Sequence, residues 1–103
     1  MKIVELGSAE RVPINIDARK LCVREDLELI HLEFAPGEGL DVHANPFDVV
    51  FFVVEGSGEL EVGGERRMVT QDAAVEVPAQ VMRGWKNTGP GRLRVLVIKA
   101  LRK

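Results

Sequence analysis

The sequence predicts an all-β fold, one domain built from sheet and closed into a barrel. Runs rich in Val, Ile, Leu and Phe recur about every ten residues, as strands joined by short turns do. No long segment keeps a helical apolar period, and clusters of Gly and Pro punctuate the runs. One run, Val49 to Val54, has no polar position at all, so both of its faces need cover. A sandwich or barrel with a further layer outside provides that cover, and a second copy of the chain is one candidate for the layer.

In chain order, strands are expected near Ile3–Leu6, Leu27–Phe34, Val49–Val54, Glu59–Val62, Arg66–Val69, Ala74–Val77, Met82–Lys86 and Arg92–Ala100. Val12 to Ile16 reads as an edge strand, because Pro13 has no N–H to give to an inner ladder. Turns are expected at Pro36 to Gly39, Gly56 to Gly58 and Asn87 to Gly91. Between Val62 and Glu65 stands a two-residue Gly63–Gly64 loop suited to a primed hairpin turn. Glu59 and Glu61 opposite Arg66 and Arg67 give that hairpin a wet face.

The chain has 103 residues, 46% hydrophobic and 29% charged, enough for one core without disulfides and too apolar for a disordered chain. Residues 1–103 are therefore read as a single domain with no internal repeat or linker. A net charge of -2 offers no broad positive field, so nucleic acid is not an expected partner. Arg66–Arg67 and the tail from Lys99 to Lys103 read as solvated surface. Cys22 stands alone and reads as a small buried hydrophobe. With no secretion signal in Met1 to Leu6 and no apolar run long enough to span a bilayer, no membrane partner and a cytoplasmic location are expected.

From Gly37 to Asn87 the pattern resembles the cupin superfamily. Its first motif, G(X)5HXH(X)3-4E(X)6G, is matched in frame by Gly37, His43, Ala44, Asn45, Val49 and Gly56. Its second, G(X)5PXG(X)2H(X)3N, is matched in frame by Asp72, Pro78, Gln80, Arg83 and Asn87. The resemblance implies a jelly-roll β-barrel (a double-stranded β-helix) with motif 1 at about 37–56 and motif 2 at about 72–87, and a homodimer. It also implies that the four positions at which cupins hold a metal are here His43, Asn45, Val49 and Arg83.

One imidazole and one amide are too few to hold a divalent transition metal, and a guanidinium places positive charge where the cation would sit. No cofactor is therefore expected; if a metal is bound, His43 is its ligand. Asp41 shares strand parity with His43 and is the nearest extra carboxylate, while Asp48 should point away from Val49.

Alternation places His43 with Asn45, and Arg83 with Trp85 and Asn87, toward the barrel interior. Arg83 carries donors suited to a carboxylate, His43 moves protons near neutral pH, and Trp85 gives a flat apolar wall. Arg83, His43, Asn45 and Trp85 are the expected ligand-binding residues, for a small anionic or carbonyl-bearing molecule. Arg83 paired with Glu76 or Glu33, Trp85 as core and Asn87 as a turn residue are the structural alternatives.

Three functions follow. The first is a metal-independent binding module. The second is an enzyme: isomerase, epimerase or cyclase-like with His43 as base, or a dioxygenase-like variant with a metal ligand such as His31 from outside the motifs. The third is a structural or interaction domain with no ligand. His31 and Glu33 share one strand face, whose direction is open.

Overall fold

The computed structural model describes residues 1–101, and Arg102 and Lys103 of the basic tail lie outside the described residues. Ten strands form: β1 Glu10–Arg11, β2 Asp17–Val23, β3 Leu27–Phe34, β4 Gly39–His43, β5 Asp48–Glu55, β6 Ser57–Val62, β7 Glu65–Thr70, β8 Ala74–Val77, β9 Arg83–Lys86 and β10 Leu93–Ala100. They pair into a six-stranded sheet, β1-β2-β3-β10-β5-β8, and a four-stranded one, β4-β9-β6-β7. Every pairing is antiparallel, and the two sheets enclose one core as a jelly-roll barrel.

The core follows the two-residue period of the strands. Ile30, Leu32 and Phe34 of β3, Val49, Phe51 and Val53 of β5, and Leu93, Val95 and Val97 of β10 are all buried. Across the gap they meet Leu60 of β6 and Trp85 of β9. Phe51 and Trp85 join the sheets edge to face, their ring centroids 5.4 Å apart at 88°. The alternate residues of β5, Val50, Phe52 and Val54, face outward and are half-buried among the described residues.

Gly63 and Gly64 both have positive φ, 57° and 85°, as the primed turn between β6 and β7 demands. Asp72 and Gln80 also take left-handed backbone, φ 72° and 69°. They occupy the two places where the second cupin motif carries glycine, so the frame holds in three dimensions although the residues differ. Gln80 N–H donates to the Asn45 carbonyl at 2.8 Å, and Ala79 N–H to Asp48 Oδ1 at 2.8 Å. These bonds tie the second motif to the first.

Two expectations change, and strand β2 is an addition to them. Ile3 to Leu6 is not a strand; Leu6–Ser8 is a short 3-10 turn on an exposed segment. The edge strand is Glu10–Arg11 rather than Val12 to Ile16, because the Val12 N–H goes to Ala18 and that of Ile14 to Val12, which folds residues 12–16 back on themselves. Strand β2 had no sequence signal: Ala18 is its only buried residue, and a bulge between Lys20 and Cys22 disrupts its alternation. No described helix is long and apolar enough to cross a membrane.

Candidate functional site

Between the sheets lies a cavity of about 220 Å³. Most of its wall is apolar, including Ala18, Ile30, Leu32, Phe51 and Val97, and four polar side chains enter it: Arg83, Asn45, His43 and Lys99. The pleat of β9 accounts for the first of these. Arg83 and Trp85 point inward and are 4% and 3% exposed, with Gly84 between them where β4 crosses closely. A Cβ at Gly84 would lie 2.8 Å from the Leu40 carbonyl oxygen, so a side chain there would push β4 off β9.

Arg83 has no carboxylate partner among the described residues. Glu33, one alternative partner, lies on the outside of the six-stranded sheet 3.7 Å from Arg92, and Glu76 is exposed on β8. Asn45, its amide oriented by its hydrogen bonds, accepts at Oδ1 from Arg83 Nη1 at 3.3 Å and from Nη2. Burial lowers the pKa of Arg83 from its ordinary value, and no neighbouring charge offsets that effect. Arg83 Nε and Trp85 Nε1 are buried without a hydrogen-bond partner among the described residues. Unpaired buried donors on two residues of one cavity wall are the arrangement that folding avoids unless an acceptor arrives from outside.

His43 lines the cavity from its mouth and is exposed rather than interior. Its Nδ1 lies 3.0 Å from the Asp41 carbonyl oxygen. A carbonyl only accepts, so Nδ1 carries the proton in the neutral ring and Nε2 keeps its lone pair. The Asp41 side chain is not beside it. An irregularity in the β4–β9 pairing between Leu40 and His43 breaks the parity on which that expectation rested, and it puts Leu40 and His43 on the cavity while Asp41 faces an outer cleft.

Asn87 is buried but serves the turn: Nδ2 donates to the Phe34 and Gly91 carbonyls at 2.9 and 2.8 Å, and Oδ1 accepts from Gly89 N–H. Lys99, read from sequence as surface, lines the cavity instead. The signal was present in β10, where Leu93, Val95, Val97 and Lys99 form one inward row.

His31 faces away from the cavity, on the outer side of β3. It is 3% exposed, and its Nε2 accepts from Arg94 Nε at 2.9 Å. Burial first, and then the charge of Arg94, hold its pKa below 6.5, with Arg92 acting the same way and Glu33 and Asp17 opposing. A histidine whose folded pKa is depressed gives stability that is complete above its unfolded pKa and is lost as pH falls below it. The urea midpoint should therefore fall between about pH 7.5 and about pH 5.5, near and below the unfolded histidine pKa, and should fall less in His31→Gln. An equal decline in both proteins would assign the pH dependence elsewhere.

The donor set does not fit a metal. Of the four positions that the motifs align with cupin ligands, Val49 is apolar core, Arg83 is a cation, Asn45 is engaged by Arg83, and His43 stands alone. No group of three His, Cys, Asp or Glu side chains able to hold an ion occurs among the described residues.

Residues 30–99 match the family model of the cupin domain. The chain belongs to the cupin family. Over 85 residues this cupin is 33% identical to a 5-nitrosalicylic acid 1,2-dioxygenase of Bradyrhizobium, a match covering 82% of the chain and 38% of that enzyme, so it spans well under half of the relative's length. An RmlC-like cupin of Shewanella frigidimarina superposes with a TM-score of 0.87 at 20% identity, covering 100% of this chain and 93% of that one. The polyketide cyclase RemF of Streptomyces resistomycificus superposes at 0.86 and 20% identity, covering 99% and 80%. At such identities the two structures share the fold.

Proposed function

We propose that this cupin is a metal-independent binding module whose barrel holds a small anionic or carbonyl-bearing molecule on Arg83. One observation carries the reading: a guanidinium inside the barrel borders an apolar cavity and, among the described residues, has no carboxylate partner and leaves its Nε unsatisfied. A carboxylate fits that fork and would balance its charge. The kinship with an enzyme named for an organic acid agrees with the choice.

A second reading is favoured by His43. Its free Nε2 at the cavity mouth, with a carboxylate-binding arginine behind it, is a minimal acid–base site in which the guanidinium stabilises a developing oxyanion. One experiment separates the two. Thermal shift across a panel of organic acids and carbonyl compounds should give a dose-dependent rise, equivalent to about 2.7 kcal/mol at a hundredfold excess over Kd. NMR of the recovered compound then decides the class: unchanged ligand supports the binding module, and conversion that His43→Ala abolishes supports the enzyme. A flat response across the panel removes both.

A further inference from the structure

We infer that Lys99 is a second anchor of the barrel ligand and that the ligand is a small monocarboxylate with a further carbonyl or hydroxyl oxygen on a body no larger than one six-membered ring. The inference rests on Arg83 being the primary anion site and deepens that reading. Lys99 closes the inward row of β10, on the six-stranded sheet, whereas Arg83 stands on β9 in the opposite sheet. The two cations thus reach the same cavity from facing walls.

Lys99 Nζ makes no hydrogen bond among the described residues. It lies 3.7 Å from Glu28 Oε1, beyond hydrogen-bonding range, and 5.7 Å from the centroid of the Phe47 ring. Glu28 is its ion-pair partner, and at that separation the ammonium keeps donors for a ligand oxygen. Glu28 stands opposite Lys99 in the β3–β10 register and offsets one of the two positive charges of Arg83 and Lys99, so a single charge of that pair is left for the ligand to balance. A monoanion balances it, and a dianion would bring surplus negative charge beside Glu28.

Arg83 and Lys99 both present donors on the cavity wall, so a ligand that spans them supplies acceptors at more than one point. The size limit comes from the cavity. A dry cavity of about 150 Å³ holds a benzene molecule, and about 220 Å³ therefore leaves room for one ring and its substituents.

Calorimetry on the whole chain tests this with benzoate, the three hydroxybenzoate isomers and isophthalate as probes. The best hydroxybenzoate should bind about 5-fold or more tighter than benzoate, the gain expected of one added hydrogen bond. Isophthalate should bind no tighter than benzoate. Lys99→Met should erase the hydroxyl gain and, by leaving Glu28 without its cation, weaken benzoate as well, whereas Lys99→Arg should restore both; melting curves check that each variant folds. Benzoate binding with no gain, a gain that survives Lys99→Met, or a preference for isophthalate would overturn the role of Lys99 and leave Arg83 as the anchor. Binding of none of these acids would overturn the inference together with the reading beneath it.

Discussion

Replacing Arg83 by Met is expected to make the protein more stable and to cost it at least about 100-fold in acid affinity, some 2.7 kcal/mol. Both effects have one cause. A guanidinium that is 4% exposed, with only an amide oxygen for company and Nε unsatisfied, has lost hydration that the folded chain does not replace. An apolar side chain of similar length removes that penalty, and gains on the order of 1–2 kcal/mol are reasonable for such exchanges. For a domain of this size that is a rise in Tm of roughly 4–8 °C per kcal/mol. The bound acid, in contrast, loses its charge-assisted hydrogen bonds, which are among the strongest single contacts a small ligand can make. Chemical denaturation and calorimetry on the same preparations read the two effects. A variant that is destabilised and still binds would mean that Arg83 is a structural residue.

Gly56→Ala should destabilise the fold by about 3 kcal/mol or more, a large share of the total for a small domain. Gly56 sits at the corner where the chain leaves β5 in one sheet for β6 in the other, with φ 79°. A left-handed non-glycine residue costs roughly 1–2 kcal/mol by itself. Here an added Cβ would also come 2.4 Å from the Arg92 carbonyl oxygen, a backbone atom that cannot swing aside without shifting the start of β10. Gly64 is the control. Its φ is 85°, but no atom lies within 4 Å of an added Cβ, so Gly64→Ala should show the backbone cost alone. Urea midpoints of the two variants separate conformation from crowding, and equal losses would refute the steric part.

Much of the architecture is legible in the sequence because strands β3 and β8 are bounded by charge and turn residues, and their edges fall where Leu27–Phe34 and Ala74–Val77 place them. Strand β2 is not legible, since a strand with one buried residue and a bulge has neither hydrophobic run nor alternation. The site divides in the same way. Arg83 and Trp85 lie on a regular stretch of β9, so spacing alone turns them inward. Asp41 and His43 lie across an irregularity of β4 whose position depends on pairing with β9, a long-range property that local parity does not carry. Lys99 is the opposite case: the alternation of β10 reaches it, but its charge and its place in a basic tail argue for solvent, and only the closed barrel shows that the last inward position of a strand borders the cavity.

Arg83 puts a guanidinium at the position where cupins ordinarily place a metal-binding imidazole, and the proposed function makes it an anion site. A high-resolution crystal structure of the protein grown with the tightest acid from the panel tests it most directly. A carboxylate is expected on the Arg83 guanidinium, with the cavity filled by the rest of that molecule. A metal ion coordinated through His43, or Arg83 paired with a carboxylate of the protein in a cavity closed by side chains, would contradict it.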